Sequence, residues 1–215
     1  MKHKKGLIAT MTVLCVLALA FVGYRFLYHA QSGSLESNAA ERQTGQETTE
    51  KTKEKGKTLI AYFSWSPSGN TEQMATYIQE QTGGDLLKLE PKNPYPTDYE
   101  ECGNVALAER DQNARPEIVN LPDSISDYDT ILVGYPIWWH TAPMIIGTFL
   151  ESNTLSGVEI YPFAQSASMD TEQFANSMDF VRENAAGANV HDGLFTEASD
   201  TEGILAYLRE NQLVK

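Results

Sequence analysis

A hydroxyl-rich turn, Ser64-Trp65-Ser66-Pro67-Ser68-Gly69-Asn70-Thr71, follows directly on the apolar run Leu59-Ile60-Ala61-Tyr62-Phe63. A helix pattern then opens at about Thr71, with Met74, Ala75 and Ile78 on one face. A strand, a polar turn and a helix N-terminus in that order bring free N–H groups and the positive end of a helix dipole to one point, which is an anion site. No Lys or Arg lies between Lys57 and Lys88, so the turn lacks the lysine that a nucleoside triphosphate loop requires. The guest it suits is a single phosphate group. The hydroxyls of Ser64, Ser66, Ser68 and Thr71 and the amides of Gly69, Asn70 and Thr71 would hold it. The competing reading is a Ser/Gly turn that only caps the next helix, with Asn70 and Gln73 as a capping box.

A second loop, Gly134-Tyr135-Pro136-Ile137-Trp138-Trp139-His140-Thr141-Ala142-Pro143, follows the most strand-like run of the chain, Thr130-Ile131-Leu132-Val133. Aromatics this dense suit stacking on a flat heteroaromatic ring. One of Trp138 and Trp139 is expected to plug the gap between strand and helix, the other to line the ring, with Trp65 as a further wall. A third loop, Gln165-Ser166-Ala167-Ser168-Met169-Asp170, has small residues through which backbone N–H groups could approach a polar ring edge. It reads equally well as a turn before a helix capped by Asp170. His140 is a candidate proton donor, although a lone histidine in a loop is more often a surface residue. His3, His29, His140 and His191 show no metal-ligand spacing, and neither a Gly-x-Ser-x-Gly elbow nor a Cys-x-x-Cys pair occurs.

These loops need a frame. Apolar runs alternate with amphipathic stretches: strands are expected at 59–63, 85–89, 128–135, 158–164 and 189–195, and helices at 71–81, 98–113, 143–150, 171–183 and 201–211. Five strands alternating with helices specify an α/β, doubly wound five-stranded parallel sheet in a three-layer sandwich. In the strand order 2-1-3-4-5, the first and third strands are neighbours at the switch point, where open α/β sheets bind ligands.

The chain has 215 residues and a formal charge of −13 from 16 basic and 29 acidic residues. Residues 1–30 hold Lys2, Lys4, Lys5 and Arg25 and no acid, and residues 6–24 are apolar or small. Nineteen helical residues span about 28 Å, near the thickness of a bilayer core. With lysines before it, this stretch reads as a signal anchor or a signal peptide, placing the rest outside the cytoplasmic membrane. Residues 31–57 have no aromatic residue and one large apolar side chain, Leu35, and read as a disordered linker. Residues 58–215 are then one domain. Without residues 1–30 the charge is −17, from 12 basic and 29 acidic residues, a surface that repels nucleic acid. Cys102 is the only cysteine of that part, so it can form no internal disulfide.

Three segments together resemble the flavodoxin-like superfamily: Tyr62-Phe63-Ser64 with Ser68-Gly69-Asn70-Thr71, then Pro136-Ile137-Trp138-Trp139 with Thr141-Ala142-Pro143, then Pro162-Phe163-Ala164. The Ser-Gly-Asn-Thr loop with Pro-Ile-Trp-Trp is similar to one bacterial flavodoxin branch. The resemblance implies a non-covalent FMN, its phosphate on the first loop and its ring between the second and third. Three features depart from the pattern: the phosphate loop is about two residues longer, with Ser66-Pro67 as the extra pair; Ala167 and Met169 stand where glycines are common; and His140 follows the Trp pair where Gly is common. The function implied is electron transfer by FMN to a redox partner protein or small electron acceptor, tethered to the membrane by the N-terminal segment. The alternatives are an FMN-dependent NAD(P)H quinone or nitro reductase, and a binding module that kept the fold and lost the flavin.

Overall fold

The computed structural model describes residues 56–215. The apolar stretch 6–24 and nearly all of the linker lie outside the described residues; Lys57, the last linker residue, opens the first strand. In chain order the elements are β1 (Lys57–Tyr62), α1 (Asn70–Thr82), β2 (Asp85–Lys88), α2 (Tyr99–Asp111), β3 (Tyr128–Pro136), α3 (Met144–Glu151), β4 (Glu159–Gln165), α4 (Thr171–Asn184), β5 (Asn189–Val190), β6 (Leu194–Phe195) and α5 (Thr201–Glu210). Among the described residues no helix is long and apolar enough to cross a membrane.

All strand pairs are parallel and the order is β2-β1-β3-β4-β5, as the alternation of elements predicts. Alternating side chains divide β1 between two cores. Leu59, Ala61 and Phe63 face a cluster with Ile145, Phe149 and Val181 of α3 and α4. Ile60 and Tyr62 face Met74 and Ile78 of α1 and Ile204 and Leu208 of α5. Residues 131–135 of β3 are all buried, because helices cover both faces of the sheet. Asp98, Asp170 and Asp200 cap α2, α4 and α5 through their carboxylates, which accept from Glu101, from Glu172 and Gln173, and from Gly203 respectively.

One element differs from the sequence reading. The expected strand 189–195 is two short pieces, β5 and β6, both paired with β4. Ile160 pairs with Val190 and Phe163 with Leu194, so the edge strand carries one extra residue between them. The cause is Pro162. The amides of His191 and Thr196 donate to the Ile160 and Ala164 carbonyls, so residue 162 presents its backbone to the same edge, and proline has no N–H to continue the ladder there.

Gly134 of β3 is paired with Phe163 of β4, and a methyl group at position 134 would fall 2.2–2.8 Å from three carbons of that ring. Gly103 of α2 has open space where its Cβ would stand. Gly134→Ala is therefore expected to lower the unfolding free energy by about 3 kcal/mol through overpacking. Gly103→Ala is expected to raise it by up to about 1 kcal/mol through helix propensity. Urea denaturation of the two variants checks both signs.

Candidate functional site

The C-terminal ends of β1, β3 and β4 lie side by side, so the loops at 63–69, 137–143 and 166–170 meet at one edge of the sheet. A cleft of about 650 Å³ opens between them, lined by Trp65, Ile137, Trp138, Trp139, His140, Ser166, Ala167 and Ser168 together with one side of α2. All eight of these loop residues belong to loops singled out from the sequence and share one cavity, whereas Ser66, Ser68, Gly69, Asn70 and Thr71 do not line it. Ser64 instead lines a smaller hollow of about 250 Å³ on the other side of Trp65, next to Lys88 and Tyr95. Pro136 ends β3 opposite Gln165. The Gln165 side chain accepts from Asn70 Nδ2 at 3.5 Å, a link between the first and third loops.

Ser66-Pro67-Ser68-Gly69 forms a tight turn, closed by the Gly69 amide donating to the Ser66 carbonyl at 2.8 Å. The extra Ser66-Pro67 pair thus builds a compact turn. Gly69 then takes the N-cap position of α1 with φ 62°, and no side chain caps the helix. This corrects the expected capping box. Asn70 is the first helical residue and points to Gln165, while Gln73 Nε2 donates to the Ser68 carbonyl at 2.6 Å. The Ser66 and Ser68 hydroxyls bond each other at 2.9 Å, and the Gly69 amide is already used. Left without a partner among the described residues are the amides of Asn70, Thr71 and Glu72, as the first turn of a helix requires. Thr71 is 1% exposed. Its hydroxyl forms no hydrogen bond among the described residues, and since no buried side-chain oxygen there lacks a partner, that oxygen is reached by solvent.

Trp138 packs edge-on against Phe63, Tyr95 and Trp65 at centroid distances of 5.3, 5.1 and 6.0 Å. It is the plug at the base of the cleft. Trp65 is fixed by donation from its indole to the Pro96 carbonyl at 2.8 Å. Trp139 stands outside that cluster and is 43% exposed. Trp138 and Thr141 exchange both backbone hydrogen bonds at 3.0 Å, which makes Trp139-His140 a two-residue turn with φ 47° and 67°. That conformation belongs to Asn-Gly or Gly-Gly, and here neither residue is glycine. Contacts with α2 hold it: the Trp139 indole donates to the Gly103 carbonyl at 2.8 Å, Arg110 donates to the Trp139 carbonyl at 3.3 Å, and the guanidinium lies 5.8 Å from the ring centroid. His140 is exposed on the turn.

In the third loop Met169 adopts φ 49°, the left-handed conformation that a glycine would take without strain. Its amide donates to the Ser166 hydroxyl at 3.0 Å. The amides of Ser166, Ala167 and Ser168 are unpaired among the described residues, and all three residues line the cleft.

The sequence reading missed the contribution of α2. Tyr99, Cys102, Gly103 and Ala106 line the cleft at helical spacing. The one available signal was a glycine inside a helix pattern, Gly103, whose Cβ position is open and whose carbonyl takes the Trp139 indole. Burial, with Glu109 adding to it, pushes the Cys102 thiol up to about 11, so it is an inert wall. Burial likewise raises Tyr95, whose hydroxyl donates to Glu109 at 2.7 Å, and burial raises that carboxyl above its ordinary value.

A parallel sheet of this order, with unpaired amides and aromatic side chains gathered at its switch point, defines a flavodoxin-like architecture. The family model described as Flavodoxin matches residues 57–212. Among solved structures, a protein described as a flavoprotein from Bacteroides eggerthii is 32% identical, covering 72% of this chain and 97% of its own, with a TM-score of 0.64. A similar protein from Bacteroides uniformis is 31% identical, with coverage of 72% and 98% and a TM-score of 0.64. A flavoprotein of Lactobacillus acidophilus, solved in complex with FMN, is 29% identical, with coverage of 68% and 97% and a TM-score of 0.55. A search of curated proteins finds no significant match. The chain belongs to the flavodoxin family.

His140→Gly is expected to raise the unfolding free energy by about 1 kcal/mol, because glycine takes a left-handed φ without strain. Thermal and urea unfolding of the two forms measure it.

Proposed function

We propose that this chain is an FMN-binding electron carrier. The observation that carries the reading is the convergence at one sheet edge of two kinds of free donor with an aromatic-walled cleft. Three helix-start amides and the unbonded Thr71 hydroxyl suit a phosphate. The Ser166–Ser168 amides and Trp139 border a cavity large enough for a flat ring. The residues present therefore fit FMN. Asn70, Thr71 and Glu72 would hold the phosphate through their backbone. Trp139 and the third loop would hold the ring, and Trp138 closes the base of the cleft against water. Ser66 and Ser68, tied to each other, shape the loop.

Bound FMN supplies one- and two-electron transfer, and the protein supplies binding, orientation and electrostatics. The acidic composition disfavours added negative charge on a reduced cofactor and so lowers its potential. The family membership and the FMN complex of the Lactobacillus relative support this cofactor. Electron transfer to a partner protein or small acceptor is the role such a site serves without a catalytic side chain of its own. The full chain should quench the fluorescence of FMN on binding, with a dissociation constant below about 1 μM, within the range of specific ligand sites. Absence of binding at micromolar FMN would remove the reading.

The basic flank and apolar stretch of residues 6–24 support a location outside the cytoplasmic membrane. Protease added to intact spheroplasts should then digest the domain. Full protection until lysis would place it inside.

A further inference from the structure

The first turn of α1 carries a carboxylate as well as free amides. Glu72 is the third residue of the helix, and its Oε2 would lie 3.8 Å from a Cβ placed on Gly69. A carboxylate there is favourable beside an empty helix start. The same charge repels a phosphate monoester, which is close to a dianion at neutral pH. Glu72 is not free. Its Oε2 accepts from Lys88 Nζ at 2.9 Å and its Oε1 from the Tyr62 hydroxyl at 3.2 Å. Tyr62 and Lys88 are Cα partners at the C-terminal ends of β1 and β2. The sheet register therefore delivers both groups to one carboxylate.

The stability of the fold does not explain this arrangement. The Lys88 and Glu72 side chains are 42% and 43% exposed, and ion pairs so exposed contribute little. Lys88 holds the Glu72 carboxyl below its ordinary value, so that group is an anion throughout the neutral range. The next basic residue before Lys88 in the chain is Lys57, at the opposite end of β1 from the loop.

We propose that Lys88 and Tyr62 are positioning residues for the phosphate site: they neutralise and leash Glu72, so that the α1 amides and Thr71 can accept a dianion that Lys88 itself does not touch. The inference rests on the FMN reading above. It makes the salt bridge a device for discriminating a phosphorylated flavin from an unphosphorylated one.

The test is a fluorescence titration of the detergent-solubilised full chain with FMN and with riboflavin, at low salt and pH 7.5. The proteins are the native form, Lys88→Gln, Glu72→Gln and the double variant. In Lys88→Gln the FMN affinity should fall about tenfold with riboflavin unchanged, and in Glu72→Gln it should rise about threefold, shifts in the range of close charge couplings. The double variant carries neither charge and should bind FMN about as the native form does, since a neutralised pair and an absent pair present the same net charge to the phosphate. An FMN-to-riboflavin ratio equal in all four proteins overturns the proposal. So does a loss in Lys88→Gln that persists in the double variant, because Lys88 would then act on the phosphate directly. Should Lys88→Gln fail to fold, the Glu72→Gln ratio alone decides. Failure of the native chain to bind either flavin is a distinct result and overturns the FMN reading itself.

Discussion

Parallel strands joined by right-handed crossovers all finish on the same edge of the sheet. That constraint governs everything else in this molecule. Each strand's outgoing loop carries backbone groups that the sheet no longer pairs, and each ends at a helix whose first amides cannot bond within the helix. With β1 between β2 and β3, and β4 beyond, the loops after β1, β3 and β4 are neighbours although about a hundred residues separate the first from the last. The unpaired amides at 70–72 and at 166–168 belong to neighbouring loops that Asn70 and Gln165 link.

The charge of the chain makes that region demanding. A protein with 29 acidic and 16 basic residues is a poor host for an anion. The structure meets this locally: main-chain hydrogens provide the positive field, the one carboxylate in the first turn is tied to Lys88, and Tyr62 takes its other oxygen. The arrangement depends on strand register, because a one-residue slip of β2 against β1 would turn Lys88 to the other face.

The aromatic wall rests on a different balance. Trp139 and His140 occupy a turn that favours glycine, and Met169 does the same across the cleft. Conformations of this kind persist where surrounding contacts over-determine them. Here α2 supplies those contacts to Trp139 through Gly103 and Arg110. The helix that braces the wall also forms one side of the cleft, so its packing and the shape of the site cannot change independently.

Much of this was legible in the residues. The alternation of apolar runs with amphipathic stretches specifies the doubly wound sheet, because period-2 and period-3.6 burial demand those elements. Ser68-Gly69-Asn70-Thr71 and Trp138-Trp139 marked two of the loops that the sheet brings to one edge, a turn at a helix start and an aromatic cluster. Tertiary structure alone decided the rest. That Asn70 reaches Gln165, that Trp138 packs on Tyr95, and that Pro162 splits the edge strand all depend on neighbours distant in the chain. The same holds for Lys88 meeting Glu72 and for α2 closing the cleft. Local sequence determines which groups are available and in what backbone state; only the register of the sheet and the packing of helices upon it determine which of them meet, because those distances are set by contacts that no local window contains.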